Sequence, residues 1–383
     1  MTPRDGSTVS DGSVTLALVG DLILGLDDVE PHLASIRDVM NDIDVGVGHV
    51  EWPHTDRGWV CSAMIPAPGC PPHNIKTVAD AGFDVVTLAH NHTFDQGPYG
   101  ITDTIEAAEN SGMVAVGAGL DIHQARKPAI LEVNGVRLGF LSYNAVGPSE
   151  SFATISKAGA APIRVHSHYD LELASPGSYA TAYTFVDPAS LDEMRADISD
   201  LKSRVDVVCV SVHKGMIITR AALADYERPL CFAAIDAGAD IVVGHHAHML
   251  RGVEVYQGRP IFHGVNHFVT AYPDNTDPQK PSGRARTTPR RSPILAQNVP
   301  DGTVRNFPFS TESRMTMVAH VVVGPEGVRE AGFLPAHIDE DAVTHVHGDD
   351  EMGHQVGRYV RDISTEAGLD TEITWTGSVF RFL

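Results

Sequence analysis

The chain has 383 residues, of which 43% are apolar and 20% charged, a composition that supports a large buried core and excludes wholesale disorder. Its 28 Lys and Arg against 49 Asp and Glu leave a net charge of -21, which repels phosphate backbones and excludes non-specific nucleic-acid binding by counterion release. No stretch approaches the ~18 consecutive apolar residues of a membrane span, and residues 1–13 have neither the basic start nor the apolar core of a signal peptide, so a soluble, cytoplasmic protein is expected.

Residues 1–13 are expected to be disordered and 14–383 to form a single domain. Five short β-branched apolar runs each stop on side chains able to bind metal. They are 14–19 before Gly20-Asp21, 45–50 before Glu51, 85–89 before His90-Asn91-His92, 207–212 before His213, and 241–243 before Gly244-His245-His246-Ala247-His248. Runs of this length separated by helical patterns read as buried parallel strands. The helical patterns cover 31–40, 74–81, 100–111, 191–202 and 226–237, with Gly82, Gly112 and Gly238 placed as C-terminal caps. Asn134-Gly135 between the runs 130–133 and 136–143 predicts a tight hairpin, and Gly258 between 253–256 and 260–262 a second. Low periodicity marks 145–182 and 273–307 as inserted loops, the latter carrying Arg284, Arg286, Arg290 and Arg291. A hairpin over 317–323 and 328–334 and an amphipathic helix over 350–367 complete the chain. Cys61, Cys70, Cys209 and Cys231 have no metal-pair spacing and fit free thiols in a reducing compartment.

In an open α/β sheet the carboxyl ends of the strands converge on one crevice, so these strand-terminal residues meet in space. Asp21, Glu51, Asn91, His213, His246 and His248 then supply six oxygen or nitrogen donors, a set suited to two divalent ions bridged by a carboxylate or a water. Two such ions about 3.5–4 Å apart lower the pKa of a shared water and clamp the attacked group. Singly, Asp21 reads as a helix cap, Glu51 as a surface residue before the Trp52-Pro53 turn, and His213 as a core histidine. Their recurrence at successive strand ends is what those separate explanations do not reproduce.

The ordered motifs Gly20-Asp21, His49-Val50-Glu51, His90-Asn91-His92-x-x-Asp95-x-Gly97, Val212-His213-x-Gly215 and Gly244-His245-His246-x-His248 are followed by Gly252-Val253-Glu254-Val255-Tyr256-x-Gly258-Arg259-Pro260. Together they resemble the CapA-type poly-γ-glutamate capsule biosynthesis family, itself similar to the calcineurin-like dinuclear metallophosphoesterases. The likeness runs from about residue 14 to 269 and returns in Arg358-Tyr359-x-x-Asp362-Ile363-Ser364. It implies a metallophosphatase-like α/β/β/α sandwich, with two mixed β-sheets flanked by helices. It also implies that Asp21, Glu51, Asn91, His213, His246 and His248 hold two divalent ions, Mn, Fe or Zn before others, with Glu51 as the bridge. His92 would stabilise charge or protonate the leaving group, and Asp95 would orient it.

Where that family usually has Asn-Leu-Glu, Asn-Asn-His, His-Trp-Gly and Leu-Gly-Asn-Phe, this chain has His49-Val50-Glu51, His90-Asn91-His92, His213-Lys214-Gly215 and Val265-Asn266-His267-Phe268. Ligand positions are kept while their neighbours change, which points to metal chemistry retained on an altered substrate. His49, His90, Lys214, His245 and His267 are expected to line the substrate pocket. The expected function is a dinuclear metal-dependent hydrolase that turns activated water on a small polar or anionic substrate, a phosphoester or an amide or lactone. The alternative is a non-catalytic accessory protein of poly-γ-glutamate capsule synthesis. Expected partners are a small-molecule substrate and no nucleic acid, with homo-oligomerisation left open.

Overall fold

The first apolar run belongs to a strand longer than itself, because the chain beyond Gly20 pairs with a second neighbour. The structure is a computed structural model that describes residues 12–62, 66–170, 181–273 and 310–383; the start of the chain and the Arg-bearing segment expected as a loop lie outside the described residues. In chain order the elements begin β1 (Val14–Leu24), α1 (Glu30–Ala34), α2 (Arg37–Asn41), β2 (Val45–Val50), α3 (Asn74–Asp80), β3 (Val85–Thr87), α4 (Gly97–Asn110), β4 (Val114–Val116), β5 (Ala118–Gly119), α5 (Ile122–Ala125), β6 (Ala129–Val133) and β7 (Val136–Asn144). They continue with β8 (Gly159–Ala160), β9 (Val165–Asp170), β10 (Thr181–Val186), α6 (Pro188–Lys202), β11 (Val207–His213), α7 (Glu227–Asp236), β12 (Ile241–His245), β13 (Val253–Tyr256), β14 (Arg259–Phe262) and β15 (His267–Ala271). The last are β16 (Met315–Gly324), β17 (Gly327–Ile338), β18 (Thr344–Val346), α8 (Glu351–Glu366), β19 (Thr374–Trp375) and β20 (Phe380–Arg381).

Two large mixed sheets result. The first runs β19-β20-β17-β16-β1-β2-β3-β4, with β15 also on β1 and β18 on β17. The second runs β13-β14-β12-β11-β7-β6, parallel from β14 to β7 and antiparallel at both edges. Side-chain alternation along each strand decides which face meets what. In β1, Leu16 and Leu18 join Phe140, Cys209, Val243 and Phe333 in a core between the sheets. Ala17 and Val19 face the other way, with Leu33, Met40, Val78 and Ile101 of the helices outside sheet one. On sheet two, Val208 and Val210 of β11 pack with Met194, Ile198 and Leu230 of α6 and α7. Helix, sheet, sheet and helix are therefore layered, the expected α/β/β/α sandwich of two mixed sheets flanked by helices. The amphipathic α8 sends Val356, Val360 and Ile363 into the inter-sheet core.

Three local outcomes differ from the sequence reading. The helix expected over 31–40 is two short helices, interrupted where the Ser35 hydroxyl donates to the Thr344 carbonyl at 2.7 Å. The irregular stretch 145–182 holds β9 and the first residues of β10, which pair as an antiparallel ribbon with Tyr169, Tyr183 and Phe185 exposed. The run 14–19 extends through Asp21 to Leu24. The Asn134-Gly135 hairpin forms as its residues require, with φ of +51° and +79°. All four cysteines are free thiols, and no helix among the described residues is long and apolar enough to cross a membrane.

Candidate metal centre

β1 is irregular on both sides of Asp21, its register shifting against β2 between Leu18 and Asp21 and against β15 between Asp21 and Leu22. Gly20 makes that possible. A Cβ there would stand 1.8 Å from the Asn266 carbonyl oxygen, which accepts the Asp21 N–H at 2.9 Å. Asp21 thereby lies in register with His267, the first residue of β15. Glu51 follows β2, the 90–92 segment follows β3, and His213 and His245 are the last residues of β11 and β12. His246, His248 and Asn266 take left-handed φ of +85°, +52° and +66°, a conformation that costs a non-glycine residue about 1–2 kcal/mol and concentrates at functional sites.

The expected ligands meet. Asp21 Oδ1 lies 3.3 Å from His245 Nδ1, and its Oδ2 3.7 Å from His248 Nδ1. Glu51 Oε1 lies 4.0 Å from both His213 Nε2 and His248 Nε2. His213 Nε2 is 2.8 Å from Asn91 Oδ1 and 3.1 Å from His246 Nδ1. One ligand atom from each of Asp21, Glu51, His248 and His267 falls within 4.8 Å of the others, and Asp21, His49 and His213 form a second such group. Asp21, rather than Glu51, belongs to both. His49 and His267, expected to line a pocket, instead stand at ligand distance.

Burial governs the electrostatics. It pushes the Asp21 carboxyl well above its ordinary value, against a smaller opposing pull from the His246 backbone N–H. The Glu51 carboxyl is raised by burial and then by the neighbouring Asp21. Burial also holds His245, His246 and His267 down at about 3, and His49, His90 and His213 well below the usual imidazole range, the last three further lowered by each other or by neighbouring histidines. At neutral pH these rings are uncharged, the form that ligates metal. The oxygens of Asp21 and Glu51 are buried without a well-formed hydrogen bond among the described residues. Bare buried carboxylate oxygens among neutral imidazoles fit divalent cations, which would replace the missing partners.

The remaining predicted residues divide. His92 Nδ1 is 2.6 Å from Asp95 Oδ2, and that oxygen also accepts the Ala67 N–H at 2.6 Å, which fixes the carboxylate. His245 stacks on His49 at 4.1 Å, and His90 meets the same ring edge-on at 5.5 Å. Lys214 does not line the pocket. Its ammonium is buried against Glu227 Oε2 at 2.7 Å and donates to the His263 carbonyl at 3.0 Å, because α7 supplies a carboxylate that draws it away from the pocket. Sequence reasoning missed Thr87, whose Oγ1 lies 2.7 Å from His49 Nδ1 and orients a ring whose Nε2 is 3.0 Å from His213 Nδ1. The signal was present, since Thr87 ends the apolar pair Val85-Val86 and pairs with His49 once β2 and β3 are placed side by side.

The family profile described as bacterial capsule synthesis protein PGA_cap matches residues 15–272. The PGA biosynthesis protein CapA of Bacillus subtilis (strain 168) is 32% identical over 197 residues, 51% of this chain and 45% of that protein. A probable polyglutamine synthesis accessory protein of Mycobacterium tuberculosis (strain ATCC 25618 / H37Rv) is 31% identical over 225 residues, 57% of this chain and 51% of that protein. The chain thus spans about half the length of the curated relatives it matches. Among solved structures, the calcineurin-like phosphoesterase YfkN from Bacillus subtilis aligns at 11% identity and a TM-score of 0.37, covering 93% of this chain and 97% of that one. With its profile match running through the sheet-end motifs, the chain belongs to the bacterial capsule synthesis protein PGA_cap family.

Proposed function

We propose that this protein is a metal-dependent hydrolase whose centre holds two divalent cations, Mn, Fe or Zn, among Asp21, Glu51, Asn91, His213, His246 and His248, with His49 and His267 within ligand reach. The observation that carries the reading is the pair of desolvated carboxylates of Asp21 and Glu51, without a well-formed hydrogen bond among the described residues, inside a shell of imidazoles that burial keeps neutral. When bound, such ions polarise the attacked group and acidify water. Asp95 accepts a hydrogen bond from His92 Nδ1–H and holds the ring, so that the protonated imidazole can pass its Nε2 proton to the departing group. The His92 side chain remains 22% accessible, so substrate can reach it, whereas the ligand His213 and its neighbour His49 are buried away from solvent. The substrate is a small polar or anionic phosphoester, amide or lactone. Chelation followed by readdition of Mn, Zn or Fe, assayed on a panel of those three classes, tests this: full hydrolysis by metal-free protein rejects it.

A second reading is favoured by the name of the Mycobacterium relative, an accessory protein of polyglutamine synthesis. In that reading the chain serves poly-γ-glutamate capsule synthesis by binding other proteins and performs no hydrolysis. Absence of turnover on the whole panel by metal-loaded protein, together with a stoichiometric complex with synthase subunits, selects it.

A further inference from the structure

A second group of histidines comes together on β17 and β18. His337 and His345 face each other in antiparallel register, with ring centroids 6.3 Å apart. The His347 N–H donates to the Pro335 carbonyl at 2.8 Å, carrying the ladder one step past β18, and its ring lies 5.7 Å from that of His337. His345 and His347, two positions apart on extended chain, project to the same face. Two of these rings have one nitrogen taken by a carboxylate. His345 Nε2 lies 2.7 Å from Asp339 Oδ2, and His347 Nδ1 lies 3.1 Å from Asp350 Oδ2. Both carboxylates are themselves anchored. Asp339 Oδ1 accepts the N–H groups of Asp341 and Val343 at 2.9 Å each, and Asp350 Oδ1 caps α8 by accepting the Gly353 N–H at 2.7 Å.

This arrangement fixes the tautomers. A carboxylate accepting from Nε2 of His345 leaves a lone pair on its Nδ1, and one accepting from Nδ1 of His347 leaves it on Nε2. His347 Nε2 and His337 Nδ1 are buried and lack a hydrogen-bond partner among the described residues. A carboxylate on the far nitrogen is what metal-ligating histidines characteristically carry. We propose that His337, His345 and His347 form a second metal site, separate from the sheet-end centre, that takes a borderline transition-metal ion such as Zn2+ through three imidazole nitrogens and leaves a fourth position open. Imidazoles sharing a tetrahedral ion through bonds of 2.0–2.1 Å have ring centres roughly 5 Å apart, so the His337–His345 pair at 6.3 Å and the His337–His347 pair at 5.7 Å each close by roughly 1 Å, and the three free nitrogens, which do not stand within 4.8 Å of one another as the sheet-end ligands do, turn together. The 46% exposed side chain of His345 supplies that freedom. Arg314 acts on His337 as an opposing positive charge, and Asp339 acts in the ion's favour.

The test is a zinc titration of the chelator-stripped full chain by calorimetry, comparing wild type with the double variant H337Q/H347Q. The double variant binds one equivalent fewer, and Asp339→Asn weakens that same event about tenfold or more. Equal stoichiometry in wild type and double variant overturns the proposal. Because the count is a difference between two chains that share the sheet-end centre, it stands whether or not that centre takes zinc. Should the double variant fail to fold, diethylpyrocarbonate labelling of the wild type decides: zinc shields exposed His345 while exposed His123 reacts as before, and equal labelling of His345 with and without zinc rejects the site.

Discussion

The two histidine clusters differ in where their carboxylates stand. At the sheet ends, Asp21 and Glu51 direct bare oxygens into the cluster itself, and both are almost wholly buried. On the β17–β18 ladder, Asp339 and Asp350 sit behind the rings, hydrogen-bonded to backbone N–H groups and open to solvent on one side. Burying an unpartnered charge is costly, whereas a solvated and hydrogen-bonded one costs little. The first cluster therefore needs protons or cations to be stable, and the second is tolerable when empty. Removing ions should therefore cost the fold more at the first cluster than at the second.

The sharpest way to break this contrast is Asp21→Ala. Hydrolytic turnover should fall about a thousandfold, the scale of one lost electrostatic stabiliser in a closed site, while zinc uptake at His337 persists. Turnover within a few-fold of wild type would remove Asp21 from the centre. Lys214→Met probes a buried charge that is already compensated: it strands Glu227, whose carboxyl is raised by burial but brought below its ordinary value by the Lys214 ammonium. Denaturant unfolding should show a loss of about 3–5 kcal/mol, most of it recovered in the apolar double variant K214M/E227L. A neutral single variant contradicts the ion pair.

Next in size is His49→Asn, which removes the ring joining Thr87 to His213 and should weaken metal affinity at the sheet ends by about 10–100-fold, measured by competition with a chelator. Wild-type affinity would show that His49 orients nothing. The smallest effect is a pH dependence. Burial raises the Asp21 and Glu51 carboxyls in the folded chain above the ordinary carboxylate range, so in stripped protein their contribution to stability is present at low pH and lost as pH rises through the folded values. The gap in Tm between metal-loaded and stripped protein should widen from about pH 4.5 toward neutrality. A gap that stays constant or narrows over that range overturns the assignment of bare carboxylates.

The sequence made the layered α/β plan and the meeting of six remote donors legible because both follow from local signals, apolar runs and the residues that end them. What escaped it depends on pairing across space. Nothing before Gly20 announces that β15 will extend β1, and nothing around Lys214 announces Glu227, which reaches it from a helix 13 positions further on. His49 and His267 stand in the sequence as changed neighbours of motif positions, which points to a pocket role, yet register sets both beside Asp21. The second cluster carried a visible cue in His345-Val346-His347, the same His-x-His spacing as 246–248. Its third member, His337, is joined to it only by the β17–β18 ladder.

Gly20 carries a last consequence. The clearance between β1 and the segment leading into β15 is the width of a hydrogen atom, since any side chain at 20 collides with the Asn266 carbonyl. His267 is the next residue, so displacing Asn266 drags it away from Asp21. Position 20 thus works as a spacer gauge for the cation bed without touching it, and an alanine there should loosen ion retention before it unfolds the chain, a defect visible by elemental analysis after dialysis.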